Sequence, residues 1–202
     1  LTAAANGYQG ALMAPTEILA EQHFLTITAM LEGVARPWQQ RYNVTFYLDS
    51  HPQPLSIGLL VGSMSRREKE ETYRRLEEGS LDIVIGTHAL IQGEVGIPRL
   101  GLAVVDEQHR FGVEQRAALR EQGDGGEGAI PDVLVMTATP IPRTAAMTVY
   151  GDLDVSVIDE MPPGRTPIRT HWIVDDDDQV WSIVRDEVAS GHQAYVVCPL
   201  ID

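Results

Sequence analysis

Leu100-Gly101-Leu102-Ala103-Val104-Val105 is followed at once by Asp106-Glu107-Gln108-His109-Arg110-Phe111-Gly112. An apolar run almost without polar interruption, too short for a free-standing helix, is what a strand buried on both faces of a parallel sheet requires. In an open α/β sheet ligands bind beyond the carboxyl ends of the strands, so a carboxylate pair there sits where a metal-bound phosphate would lie. Asp106 would hold Mg²⁺, largely through water, because a hard cation wants oxygen ligands and keeps much of its hydration. Glu107 would orient or deprotonate the water that attacks a γ-phosphate. Gln108 and His109, one step past the acids, can sense that phosphate and signal to a neighbouring element. A bare Asp-Glu after an apolar run also describes an ordinary strand entering a polar turn. The surrounding residues decide between the two.

With 202 residues, 44% of them hydrophobic, the chain can bury the core of one good-sized domain together with a fragment of another. No apolar run approaches the length of a membrane span, and the first residues carry no basic region. Cys198, the single cysteine, excludes an internal disulfide, fits a reducing cytosol and reads as a small buried hydrophobe. The net charge of −14 argues against a free-standing nucleic-acid binder, which gains affinity by neutralising phosphates with Lys and Arg. That objection weakens if the chain is part of a larger machine, or if phosphates meet backbone N–H groups and hydroxyls at helix starts. Lys69 is the only lysine.

Leu1 to Asn6, ending at Gly7, reads as the tail of a helix, so the chain is expected to begin in the middle of a fold. Gly10 to Met13 is a brief strand. Thr16 then caps a helix running to about Leu31, with Glu17 in its acid-favouring first turn. The start of that helix, at Pro15 and Thr16, suits either a backbone phosphate or an ordinary βα turn. His23 inside it reads as a packed or surface histidine. Residues 33–56, with Pro37, Trp38, Pro52 and Pro54, are expected to leave the sheet as a hairpin or loop, and His51 has no partners at ligand spacing. Ile57 to Val61 is a buried strand closed by Gly62-Ser63. Ser65-Arg66-Arg67-Glu68 is a capping box opening a charged helix with Glu70–Arg74 and Glu71–Arg75 pairs, ended by Gly79.

Asp82 to Ile85 is the next strand, running into Gly86-Thr87-His88. After the acids, 113–122 is a helix and 124–129 a glycine-rich loop. The strand Val133 to Met136 leads into Thr137-Ala138-Thr139-Pro140-Ile141-Pro142-Arg143, then a helix to Tyr150. Thr137 and Thr139, beside the strand bearing Asp106, could bond Gln108 or His109 and relay nucleotide state. Arg143 stands near the start of the helix. Further strands are expected at 155–158, 168–174 and 194–199, with a stiff turn at 161–165 and a helix over 177–190 after the acid run Asp175 to Asp178. As a metal site that acid run lacks the needed glycine and spacing.

Taken together these stretches resemble the superfamily 2 helicase motor. Ala14 through His23 look like motif Ia, Gly86-Thr87-His88 like Ib, Asp106 through His109 like II, and Thr137 through Pro140 like III. The extended forms Asp106–Gly112 and Thr137–Arg143, and Asp159 through Pro167, are closest to the RecG family of bacterial ATP-dependent branch-migrating helicases. The transcription-repair coupling translocase shares the acid motif and the Thr-Ala-Thr-Pro-Ile-Pro-Arg stretch, but Pro162-Pro163-Gly164-Arg165-Thr166 favours RecG.

The resemblance implies an α/β fold: a RecA-like parallel sheet flanked by helices, a truncated P-loop NTPase motor lobe over 1–160, and a connector with the start of a second lobe over 161–202. It implies ATP and Mg²⁺ as cofactors and branched DNA, forks and Holliday junctions, as partner, with no membrane. It also implies a monomeric motor in the bacterial cytoplasm, at the nucleoid. Catalytic roles fall to Asp106, Glu107, Gln108 and His109, coupling to Thr137, Thr139 and Arg143. Nucleic-acid contact falls to Pro15, Thr16, Gly62, Ser63, Gly86, Thr87 and His88. The departure is an absence, since no Gly-x-x-x-x-Gly-Lys-Thr loop occurs and Lys69 lies in the capping-box helix. By the family's order that loop belongs just before Leu1. The isolated chain is therefore expected to be inactive, a nucleotide-incompetent module that at most binds DNA or a partner. A metal hydrolase using Asp106, Glu107 and His109 finds no further His or Asp at ligand spacing.

Overall fold

The computed structural model describes residues 1–48, 53–87, 90, 96–106, 130–138, 154–160, 164, 167–174 and 177–198. The chain divides into two compact units, Leu1–Val149 and Tyr150–Asp202.

The first unit runs α1 (Thr2–Ala5), β1 (Gln9–Met13), α2 (Glu17–Glu32), β2 (Arg36–Gln40), β3 (Asn43–Tyr47), β4 (Leu55–Leu60), α3 (Arg66–Glu77), β5 (Ile83–Gly86), β6 (Leu100–Val105) and β7 (Asp132–Val135). These strands form one sheet in the order β2-β3-β4-β5-β1-β6-β7. From β4 to β7 every neighbouring pair is parallel. Met13, at the end of β1, lies opposite Gly86 on one side and Val105 on the other. The core strands are apolar without alternation because both faces are covered: β4 is buried along its whole length, and Val84, Ile85, Ala103 and Val105 join the same core. On α2, Ala20, Phe24, Thr28 and Leu31 recur at helical spacing and form the stripe that packs on β4 and β5.

Both caps read from the sequence form. Thr16 Oγ1 accepts from the Leu19 N–H at 3.3 Å. At α3 the Glu68 N–H donates to Ser65 Oγ while the Glu68 carboxylate accepts from the Ser65 N–H at 2.8 Å, closing the box in both directions. At the amino-terminal edge of the sheet, buried Gln9 donates from Nε2 to the Leu76 and Leu81 carbonyls, each at 2.9 Å, and its Oε1 accepts from the Arg99 N–H at 3.2 Å. One side chain thereby ties the end of α3 to the starts of β1 and β6.

Three expectations need correction. Residues 33–56 do not leave the sheet. The hairpin forms, as β2 and β3 in antiparallel pairing, but β3 also pairs antiparallel with β4, so it extends the sheet by two strands. Val44 and Phe46, alternate residues of β3, reach the core only if that strand joins the open edge of β4. Pro37 stands on the outermost strand, where a missing N–H is tolerated. His51 lies outside the described residues.

The ion pairs of α3 also differ. Arg66 pairs with Glu70 at 2.7 Å, and Arg74 spans Glu71 at 2.7 Å and Glu78 at 2.6 Å. Arg75 instead donates to the Ser80 carbonyl at 3.3 Å. A guanidinium fork can bridge acids on the turns before and after it, and with Arg66 already on Glu70 the pairing shifts by one residue.

In the second unit α4 (Asp177–Ala189) forms as expected, followed by Gly191 at φ +87°. The described residues of 155–158, 168–174 and 194–198 are not strands, and Val157, Ile158, Ile168 and Val197 are exposed. Cys198 is exposed rather than buried. Apolar patterning supplies one half of a ladder, and the described residues of this unit contain no strand to pair with. The helices over 113–122 and up to Tyr150, the loop 124–129, and most of the turn 161–165 lie outside the described residues, as do Asp175 and Asp176.

Gly86 and Gly62 separate rigid from yielding surroundings. A Cβ at Gly86 would strike the Leu60 backbone carbonyl, whereas one at Gly62 would meet only the end of the Glu17 side chain. Gly86→Ala should therefore cost about 2–3 kcal/mol by overpacking, and Gly62→Ala much less, read as urea unfolding midpoints. A second expectation concerns pH. The Ser65 hydroxyl, then its N–H, hold the Glu68 carboxyl below the usual carboxylate range. That stabilisation is present at neutral pH and is lost as pH falls through the lowered value. The stability gap between the wild type and Ser65→Ala should narrow on acidification, measured by urea midpoints across that range.

Candidate functional site

Because β5, β1, β6 and β7 run the same way, their carboxyl ends line one edge of the sheet. Hydrogen bonds one residue beyond the strands hold that edge level: Ala14 N–H to the Gly86 carbonyl at 2.8 Å, Asp106 N–H to Met13 at 2.9 Å, and Met136 N–H to Val105 at 2.8 Å. Asp106 and Met13, distant in sequence, become neighbours in this way. Thr137 follows Met136 at the end of β7, directly beside the strand that delivers Asp106.

The Asp106 carboxylate accepts a hydrogen bond from His23 Nε2 at 2.7 Å, between side chains that are 20% and 30% exposed respectively. An ionised carboxylate has no proton to give, so the imidazole is the donor. His23 is thus neither a plain core histidine nor a plain surface one. The sequence could not show this, because the contact spans 83 positions and depends on β1 and β6 being adjacent. Among the described residues Asp106 makes no other side-chain hydrogen bond, which leaves an oxygen of the kind a hard cation prefers at a partly open strand end. By itself that oxygen is one ligand of the type a magnesium ion takes. Lys69 does not supply a phosphate cradle, since its Nζ donates to the Gly62 carbonyl at 2.8 Å. Among the described residues no three His, Cys, Asp or Glu side chains assemble as a metal site. Glu107, Gln108, His109, Thr139, Arg143 and His88 lie outside the described residues.

The residues read as meeting nucleic acid fall into two turns and one buried position. Thr16, Gly62 and Ser63 are exposed, Pro15 and Thr87 half-buried. Gly86 is buried beneath Leu60 and Leu90, so it allows close strand packing and offers no surface. The start of α2 and the turn after β4 are joined by a contact the sequence did not suggest: the Ser63 N–H donates to Glu17 Oε2 at 3.3 Å. A carboxylate there occupies an amide that a phosphate would also seek.

A parallel sheet of this order with a carboxylate at the end of β6 defines a RecA-like helicase motor lobe. Residues 1–148 match the model of the DEAD/DEAH box helicases, and the chain belongs to that family. It is 48% identical over 198 residues to the ATP-dependent DNA helicase RecG of Bacillus subtilis, covering 98% of this chain and 26% of that protein. Against RecG of Mycobacterium tuberculosis it is 47% identical over 201 residues, covering 97% and 26%. A solved structure of RecG bound to a three-way DNA junction superposes with a TM-score of 0.66 and 41% identity, over 96% of this chain and 23% of that one. The chain spans about a quarter of the length of these relatives.

The Glu17–Ser63 contact predicts a local effect. Glu17→Ala should speed hydrogen exchange at the Ser63 amide several-fold, as expected for losing a bond on the order of 1 kcal/mol to a charged acceptor. Exchange at the amides of β4 and β5 should stay unchanged, and Gly62→Ala, which displaces the same carboxylate, should act in the same direction.

Proposed function

We propose that this chain is the first motor lobe, without its phosphate loop, of an ATP-dependent helicase that remodels branched DNA, reversing stalled forks and migrating Holliday junctions in recombination and repair. The observation that carries the reading is the single hydrogen-bonded edge where Ala14, Gly86, Asp106 and Met136 meet. That edge gathers the ends of four motifs at the place where ligands of parallel sheets bind. Supporting it, the chain shares 46–48% identity with RecG proteins over nearly its whole length. Those relatives, together with Pro162 to Thr166, favour RecG over the transcription-repair coupling translocase.

In this reading Mg²⁺ bound with ATP neutralises the charge gathering on the β- and γ-phosphates. Asp106, its backbone fixed by the hydrogen bond to Met13, would hold the ion. Glu107 orients the attacking water. Gln108 and His109 register the γ-phosphate, and Thr137, Thr139 and Arg143 carry that state to the neighbouring element. DNA backbone phosphates meet Thr16, Ser63, Thr87 and His88 through hydroxyl, imidazole and amide donors, with Pro15 and Gly62 shaping the turns. This use of neutral donors is how a chain of net charge −14 can face DNA.

Lys69 does not cradle the phosphates, because its Nζ donates to the Gly62 carbonyl. The isolated chain is accordingly nucleotide-incompetent, and calorimetric titration with ATP and Mg²⁺ should register neither tight binding nor turnover. Domain limits at 1–160 and 161–202, a monomeric motor and a place at the bacterial nucleoid complete the proposal. Among the described residues no helix is long and apolar enough to cross a membrane.

In the intact protein Asp106→Asn or Glu107→Gln should lower DNA-stimulated ATP hydrolysis by roughly 100-fold or more, as expected when a preorganised charge at a phosphoryl site is lost. Retained hydrolysis in both variants would remove these residues from the mechanism.

A further inference from the structure

We propose that His23 is a positioning residue for Asp106, and that through it α2 sets the geometry of the nucleotide site. This rests on the reading of Asp106 as the carboxylate that faces the nucleotide's metal.

Three observations carry it. The contact is short, 2.7 Å, as expected for a hydrogen bond to an ionised acceptor, and it is the only side-chain bond Asp106 makes among the described residues. His23 therefore engages Oδ2 of the carboxylate, which leaves Oδ1 outside this bond. Next, both partners are anchored. Asp106 is fixed by its own amide on Met13, and His23 stands on α2 between Ala20 and Phe24, both buried in the core. The pair can shift only if the helix or the strand shifts. Finally, the same helix meets the turn after β4 at its other end, through Glu17 on the Ser63 amide. Thr16 and His23 are seven residues apart, about 10 Å along a rigid helix. A displacement imposed at the helix start, where DNA is proposed to bind, would move the imidazole and the carboxylate it holds. The arrangement parallels the outer-shell partners that orient metal-binding side chains, whose loss typically costs about 10–100-fold in metal affinity or activity.

The test uses the intact protein. Mn²⁺ binding in the presence of a non-hydrolysable ATP analogue, followed by electron paramagnetic resonance of the free ion, reads the site without turnover. DNA-stimulated hydrolysis and thermal unfolding are recorded alongside. His23→Ala should weaken Mn²⁺ binding about tenfold and reduce the stimulation of hydrolysis by DNA, while DNA affinity without nucleotide and the unfolding temperature stay unchanged. His23→Gln, whose amide N–H can stand where Nε2 stood, should restore most of both. Unchanged Mn²⁺ binding and stimulation in His23→Ala would overturn the proposal, as would losses that follow a drop in unfolding temperature and are not rescued by Gln. Asp106→Asn separates the two levels. If it binds Mn²⁺ normally, the assignment of Asp106 falls and the proposal with it. If it loses Mn²⁺ while His23→Ala does not, His23 alone is overturned.

Discussion

The row of backbone hydrogen bonds just past the ends of β5, β1, β6 and β7 is the constraint on which everything else depends. Each of the three bonds joins the first residue after one strand to the last residue of its neighbour: Ala14 to Gly86, Asp106 to Met13, Met136 to Val105. In a parallel ladder the pairing register fixes how far each strand end projects. A slip of one residue in β6 would turn Asp106 to the other face of the sheet. The close approach at Gly86, whose Cα faces the Leu60 carbonyl, keeps β4 in step with the row, and at the opposite edge Gln9 holds the strand starts. The position of the Asp106 carboxylate is a consequence of sheet register, defended at both ends.

On top of that rigid edge sit contacts of a different kind. Glu17 to Ser63, Lys69 to Gly62 and His23 to Asp106 are polar, partly or fully exposed, and made by side chains reaching from helices to strand ends. Such contacts contribute little to stability. They join helices to strand ends by side chains, whereas the sheet itself is held by backbone bonds and a buried core. The net charge of −14 is consistent with this division, since the rim presents amides and hydroxyls where bulk cations are scarce.

The sheet also continues beyond β4. The β2–β3 hairpin adds two antiparallel strands outside β4, away from the edge that carries Asp106, with Val44 and Phe46 reaching the core and Trp38 and Tyr47 left exposed. The hairpin extends the open side of the sheet, outside the parallel strands β5, β1, β6 and β7. An antiparallel addition at an edge is how a parallel core commonly lengthens without a further crossover helix.

Local chemistry was legible from the sequence alone. The capped starts of α2 and α3 and the glycine after α3 each depend on a few adjacent residues and formed as read, as did the apolar strands of the first unit and the carboxylate at the end of β6. What lay beyond it was every feature that needs two distant segments. His23 finding Asp106, Glu17 finding Ser63, and the enlistment of 36–47 into the sheet were decided by tertiary structure. So was the absence of strands among the described residues of 155–158, 168–174 and 194–198. The reason is physical: a cap or a helix satisfies its hydrogen bonds within a few residues, whereas a strand pair or a cross-chain bond exists only once folding has set both partners side by side.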